Sequence, residues 1–146
     1  MPCVGFDILI AFINKSDELH PYAKEIFYQI LSGEIKEVYI PISILLEYEV
    51  KLRYNGISDE EIKEDIKNFL ELFNSKTLPL TPEILSRASE IRKIYNLPYF
   101  DSLHIAFTMF KDRIIISSNI VYDRIGNIKR LDPLQMVKVK GINAIK

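Results

Sequence analysis

The chain has 146 residues, 48% of them hydrophobic and 27% charged, with a net charge of −1, and this predicts one soluble domain, residues 1–146, with a single core. No apolar run approaches the roughly 20 residues of a membrane span, and no basic region precedes the apolar first segment, so neither a membrane protein nor a signal peptide is expected. The single cysteine, Cys3, excludes an internal disulfide framework and indicates a reducing, cytoplasmic location.

Short apolar runs alternate with longer segments of helical periodicity. In chain order the pattern predicts strand 3–6, helices 8–14 and 21–33, strand 37–41, helices 44–56 and 58–73, strand 77–80, helices 81–96 and about 96–110, and strand 113–117. Segments 128–133 and 136–139 are candidates for a last strand and a sheet edge. Strand 113–117 is the most hydrophobic and is predicted to be central, whereas the proline in 77–80 indicates an edge strand.

Capping residues support several of these helix ends. Gly33 is placed to end the second helix, and Thr81, followed by a proline, to begin the fifth. Ser58 and Glu61 have the spacing of a capping box, and Ser43 is expected to cap the third helix.

Strands that alternate with helices predict an α/β fold, a three-layer α/β/α sandwich with a central parallel sheet. Right-handed crossovers would place helices on both faces of that sheet. Ligands of such sheets bind outside the carboxyl ends of the strands. Asp7 directly follows the first strand and Asn119 follows strand 113–117, so both are expected at that rim.

Three acids from well-separated segments lie among apolar residues, namely Asp7, Glu47 and Asp101. If their carboxylates converge, mutual repulsion raises their pKa values unless a cation neutralises them. Oxygen ligands of this type favour hard divalent ions, Mg²⁺ or Mn²⁺. An acidic cluster that binds such ions is suited to hydrolysis of a phosphodiester.

Each residue also has a simpler interpretation. Asp101 in a first helical turn would interact well with the helix dipole, and Asp7 could be an N-cap. Glu47 could extend its carboxylate to the surface. His104 is expected to support its neighbours or to pack, and Tyr99, like Tyr48, is expected to pack rather than to stack on bases.

Other phosphate chemistries lack their motifs. With five glycines the chain has neither a Walker loop nor a dinucleotide-binding turn. Leu9 occupies the place where a haloacid-dehalogenase-like phosphatase needs a second aspartate. The acidic pair and the lysine of a response-regulator receiver are also missing.

Four segments, "VGFDILIAFIN", "PISILLEYEVKLR", "LPYFDSLHIAFTM" and "IIISSNIVYDRIGNIKRLDP", resemble in order and spacing the motifs of the PIN-domain family, especially its VapC-like toxin branch. The resemblance implies a divalent-metal ribonuclease with a three-layer α/β/α fold. It assigns the metal-binding positions to Asp7, Glu47 and Asp101. It also implies a homodimer that is silenced by a small antitoxin protein.

Two positions depart from the family pattern. Asn119 stands where the family usually has an aspartate, with Asp123 four residues further on as a substitute, and Ile8 stands where many members have Thr or Ser. A neutral amide offsets less positive charge than a carboxylate, although its carbonyl oxygen can still bind a metal. We therefore expect one well-held metal and a weaker second one.

The charge distribution adds a candidate RNA contact. Residues 1–110 carry 11 basic and 17 acidic side chains, a net of −6, and residues 111–146 carry 8 and 3, a net of +5. Arg124, Lys129 and Arg130 could hold an RNA backbone, although the charge alone favours the simpler explanation of a solvated surface. Besides an active ribonuclease toxin, the sequence leaves open an RNA-binding module with weakened catalysis and a purely structural domain.

Overall fold

The computed structural model of the protein describes residues 2–73 and 76–137. Within them are five short strands: β1 Cys3–Val4, β2 Ile40–Pro41, β3 Thr77–Leu78, β4 Ile114–Ile116 and β5 Lys129–Leu131. The helices are α1 Phe6–Ile13, α2 His20–Ser32, α3 Ile42–Tyr54, α4 Asp59–Phe73, α5 Pro82–Tyr95, α6 Tyr99–Phe110 and α7 Pro133–Met136, with a 3-10 helix at Ile120–Arg124. In this part of the chain, every helix is too short or too polar to cross a bilayer.

All strand pairs are parallel. β1 pairs with β4, β4 with β5, and β2 with β3. A bridge between Cys3 and Tyr39 joins the two groups, so the spatial order is β3-β2-β1-β4-β5. The chain therefore leaves β1 towards one edge and returns through β4 towards the other. The carboxyl ends of β1 and β4 form the switch point at which such folds bind ligands.

The apolar side chains form a cluster on each face of the sheet. One contains buried residues of α1 to α4 together with Ile116, and the other contains buried residues of α5 and α6 together with Ile115. Adjacent residues of a strand point to opposite faces, so β4 separates the two clusters. The predicted three-layer α/β/α arrangement with a central parallel sheet is confirmed, with β4 inside its sheet.

Three of the four predicted capping residues lie at the helix ends where they were expected. Gly33 adopts the left-handed conformation at the end of α2, with φ of 85°. The Glu61 amide donates to Ser58 Oγ at 3.2 Å, and Thr81 accepts from the Ile84 amide at 3.3 Å.

Two local predictions are wrong. Ser43 is the second residue of α3 rather than its cap, because its hydroxyl is drawn into the core by another partner. Segment 136–139 was a candidate edge strand, but Met136 is the last residue of α7 and residue 137 is not in a strand. Residues 138 and 139 lie outside the described residues.

Candidate active site

A cleft of about 360 Å³ opens where β1 and β4 end. Its polar lining comes from distant parts of the chain: Asp7, Glu47, Lys51, Asp101, His104, Ser117 and Asn119. Apolar and aromatic side chains separate these groups, among them Phe6, Tyr99, Phe100 and Tyr122. The structure thus brings all three predicted acids, and Asn119, to one concave site.

Asp7 is the most firmly held of the three acids. It lies in the first turn of α1, after Gly5, which precedes the helix and makes no side-chain cap. Its Oδ1 accepts from Ser117 Oγ at 2.7 Å, and its Oδ2 accepts from the amide and the hydroxyl of Ser118 at 2.8 and 2.6 Å. Asp7 is therefore not an N-cap, and its carboxylate ties α1 to the end of β4.

Gly5 allows this close approach. A Cβ at this position would lie 2.8 Å from Asp7 Oδ1, 3.0 Å from Ser117 Cβ and 3.1 Å from the Ile116 carbonyl oxygen. A Cβ contact below 3.0 Å essentially never occurs, so Asp7 Oδ1 would have to shift, and the contact with the backbone oxygen would also be tight. Only glycine fits between the two strand ends without displacing the carboxylate.

Glu47 is buried and bonded across the core, so it does not extend to the surface. Its Oε1 accepts from His104 Nε2 at 2.7 Å, and Ser43 Oγ lies 2.7 Å from Nδ1 of the same ring. Oε2 lies 3.3 Å from Lys51 Nζ. Burial by itself would raise the pKa of Glu47, but the hydrogen bond and charge of His104, together with Lys51, outweigh it and lower that pKa.

Asp101 is the least restrained of the acids. It lies in the first turn of α6, and within the described residues no hydrogen-bond donor reaches its carboxylate. Burial raises its pKa, the Glu47 charge adds to that increase, and His104 and Lys51 act in the opposite direction. Its carboxylate is the one that gains most from a bound cation.

Tyr122 shows how closely the acids converge. Its side chain is 2% exposed and lines the same cleft. Burial raises its pKa well above the ordinary value, and the charges of Asp101, Asp7 and Glu47 all act in the same direction. One phenol thus experiences the field of all three carboxylates.

The fourth predicted position has two candidates that the structure places differently. Asn119 is exposed and lines the cleft, where its Oδ1 accepts from the Val121 amide at 3.1 Å and begins the 3-10 helix. Asp123 is outside the cleft lining and is bound by Arg130 through two hydrogen bonds of 3.0 and 3.1 Å. Asn119 is therefore the residue available to the site.

A sequence model of the PIN domain matches residues 7–128. The chain belongs to the PIN-domain family. PIN domains are generally nucleases. The matched range begins at Asp7 and contains Glu47, Asp101 and Asn119.

Solved structures that resemble this PIN domain share its fold at low sequence identity. A chain of a toxin–antitoxin complex from Klebsiella pneumoniae is 17% identical with a TM-score of 0.63, and the match covers 91% of this chain and 98% of that chain. A chain of VapBC2 from Rickettsia felis, bound to a promoter DNA fragment, is 16% identical with a TM-score of 0.63 and coverage of 88% and 96%. A chain of FitAcB from Neisseria gonorrhoeae is 12% identical with a TM-score of 0.66 and coverage of 91% and 98%. Comparison with curated proteins finds no significant match.

The donor chemistry of the PIN site suits a hard divalent ion, because three carboxylates and an amide oxygen line the cleft and would be its ligands. In residues 2–73 and 76–137, however, no three acidic, histidine or cysteine side chains are arranged so as to enclose an ion. Both oxygens of Asp7 and both of Glu47 already have partners on the protein. Asp7 Oδ1 keeps a second lone pair for a metal, so the hydrogen bonds of Asp7 can remain when an ion binds, whereas the Lys51 ammonium beside Glu47 Oε2 would have to move.

Several residues of this PIN site did not emerge from the sequence. Lys51 contacts Glu47 one helical turn away and lies 4.5 Å from the centre of the Phe6 ring, and the i,i+4 spacing was the available signal. Tyr99 was expected to pack but is 54% exposed at the cleft, whereas Tyr48 is buried as expected. Gly5 gave no signal, because its role depends on the approach of a distant strand.

Proposed function

We propose that this PIN domain is a divalent-metal-dependent endoribonuclease that hydrolyses RNA phosphodiester bonds. The convergence of Asp7, Glu47 and Asp101 on one cleft at the switch point carries the proposal. Mg²⁺ or Mn²⁺, when bound, supplies activation of water and neutralisation of charge on the phosphodiester. PIN-domain nucleases generally use divalent ions, which supports this cofactor.

Each acid has its own task in the proposed reaction. Asp7, held by Ser117 and Ser118, supplies a fixed ligand for the metal. Glu47, oriented by His104, supplies a second, and Asp101 supplies the ligand that is free to adjust. Lys51 offers a positive charge at the rim, which attracts the phosphate backbone.

We infer further that the protein is the toxin of a toxin–antitoxin pair, acts in the cytoplasm, forms a homodimer and is silenced by a small antitoxin protein. The three similar structures come from complexes described as VapBC, FitAB or toxin–antitoxin, which supports this proposal at the level of the fold. Inducible expression in a bacterial host should arrest growth, and Asp101→Asn should relieve the arrest. Unimpaired growth, with the wild type shown to be soluble and to cleave RNA, would argue for a housekeeping nuclease.

Cleavage of RNA tests the enzymatic proposal directly. The purified protein should cleave RNA with Mn²⁺ or Mg²⁺ but not in chelator, and Asp7→Asn and Asp101→Asn should each lose at least about 100-fold in rate, as removal of a directly acting electrostatic group does. Asp17→Asn is the matched control, because Asp17 lies outside the cleft and an asparagine can still accept from the Leu19 amide. Full activity in chelator, or in both variants, would reject the mechanism.

An RNA-binding PIN module with weakened catalysis is the second candidate. The neutral Asn119 and the absence of a preformed three-ligand metal site in the described residues favour it. In this case the wild type should bind RNA but cleave it slowly or not at all at saturating Mn²⁺. The same assay therefore separates the two functions.

A further inference from the structure

Four aromatic residues line the candidate active site: Phe6, Tyr99, Phe100 and Tyr122. Tyr122 is buried, and Phe6 and Phe100 are half-buried, so the cores account for these three. Tyr99 differs, since 54% of it is exposed although it lies at the cleft. Packing in the core therefore does not explain its position.

Three neighbouring side chains, Arg92, Phe100 and Ser102, restrict the Tyr99 ring. Arg92 Cζ lies 5.0 Å from the centre of the ring, and Phe100 packs edge to face against it at 5.4 Å. Arg92 Nη1 donates to Ser102 Oγ at 2.8 Å, and Ser102 Oγ donates to the Tyr99 carbonyl oxygen at 2.6 Å. Because these contacts already restrict the ring, little conformational entropy remains to be lost when a ligand stacks on it.

Tyr99 also stands close to the acids in the chain. It begins α6, Asp101 follows two residues later, and both residues line the cleft. Exposed aromatic rings in nucleic-acid grooves bind unpaired bases, since every base has a π-face. A base in a duplex is stacked and paired and cannot use such a ring.

Resting on the proposed ribonuclease function, we propose that Tyr99, backed by Arg92, is a stacking platform for an unpaired nucleobase beside the scissile phosphodiester. The aromatic face is required and the tyrosine hydroxyl is not.

Binding without metal tests this subsite independently of cleavage. The probe is a short single-stranded RNA that contains the fluorescent base 2-aminopurine, titrated with protein in chelator. Binding should quench the fluorescence by stacking. Tyr99→Leu should weaken binding by about 5- to 150-fold and abolish the quenching, whereas Tyr99→Phe should stay within about twofold of the wild type.

Tyr54→Leu is the matched control, because Tyr54 is 90% exposed at the end of α3 and outside the cleft lining. It should leave binding and quenching unchanged. A duplex that contains the same probe should bind more weakly and be insensitive to Tyr99→Leu. With Mn²⁺ present, the loss in Tyr99→Leu should appear in KM rather than in kcat.

Equal binding and quenching in Tyr99→Leu would overturn the platform, whether or not the wild type cleaves RNA. If Tyr99→Leu changed the self-association of the protein but not its affinity for RNA, the platform would be overturned and Tyr99 would instead be part of a protein contact. Quenched binding without any cleavage would support the platform while rejecting the nuclease activity. The two proposals can thus fail separately.

Discussion

The imidazole of His104 and the carboxylate of Glu47 form a buried 2.7 Å hydrogen bond that joins α6 to α3. An ionised carboxylate can only accept, so Nε2 must carry the proton. His104 is 1% exposed, and its other nitrogen lies 2.7 Å from the Ser43 hydroxyl. The ring is therefore fixed at both nitrogens and determines where Glu47 points.

Replacement of His104 should separate its hydrogen-bonding role from its packing role. His104→Leu leaves a buried carboxylate oxygen without its donor, which should lower the free energy of unfolding by about 1–3 kcal/mol in urea titrations. Because Glu47 would no longer be oriented, His104→Leu should also weaken Mn²⁺ binding. His104→Gln retains an amide donor for Glu47 and should recover part of the lost stability and part of the lost Mn²⁺ affinity. Equal stability and Mn²⁺ affinity in the leucine variant and the wild type would contradict this role.

Gly5→Ala should impair activity more than it impairs folding. The added Cβ would meet Asp7 Oδ1 at 2.8 Å, so the carboxylate must move, and overpacking of this kind typically costs about 1–3 kcal/mol. Gly126→Ala is the control, since its Cβ would meet only the Tyr95 hydroxyl oxygen, at 3.9 Å. The measurements are RNA cleavage rates and thermal melting. Normal cleavage by Gly5→Ala would show that activity does not depend on the present position of the Asp7 carboxylate.

The pH dependence of stability should have opposite signs at Asp101 and Glu47. Because the folded-state pKa of Asp101 is raised, stability from this group is greatest below its ordinary pKa of 3.8 and is lost as the pH rises through the folded value. Metal-free Asp101→Asn should therefore melt slightly higher than the wild type at pH 7, with no difference below pH 3.8. Saturating Mn²⁺ should reverse the order, because the metal stabilises only the wild type fully.

Glu47 provides the contrast. Its folded-state pKa is lowered, so its contribution is present above the ordinary value of 4.5 and is lost as the pH falls through the folded value. Glu47→Gln should therefore melt lower than the wild type at pH 7. Two variants that shift melting in the same direction would mean that the two carboxyl environments are not distinct.

Asn119→Asp should strengthen metal binding. The added carboxylate retains an oxygen for the Val121 amide and adds a negative charge to the cleft. About 1 kcal/mol of added attraction would lower the Mn²⁺ concentration for half-maximal cleavage roughly fivefold. Asp123→Asn, which removes a carboxylate paired with Arg130 outside the cleft lining, should leave that concentration unchanged. The opposite pattern would make Asp123 the fourth site residue.

Much of the site could be predicted because its acids carry a local signal. Asp7, Glu47 and Asp101 each interrupt an apolar stretch, and a parallel α/β fold sends the ends of its strands to one edge. What each acid contacts could not be predicted in this way. Ser43, for instance, has the sequence context of a helix cap, yet its hydroxyl reaches a histidine 61 residues away.

The amino-acid order by itself determined the alternation of strands and helices, the central position of β4 and the identity of the three acids, because periodicity and flanking residues report the burial of each segment locally. Only the tertiary structure decided which groups meet: Glu47 with His104, Asp7 with Ser117 and Ser118, and Tyr99 with the open cleft. Such pairs depend on how α3 packs against α6 and how β1 lies beside β4. Local sequence patterns do not contain that information, since the partners are separated by 57 to 111 residues along the chain.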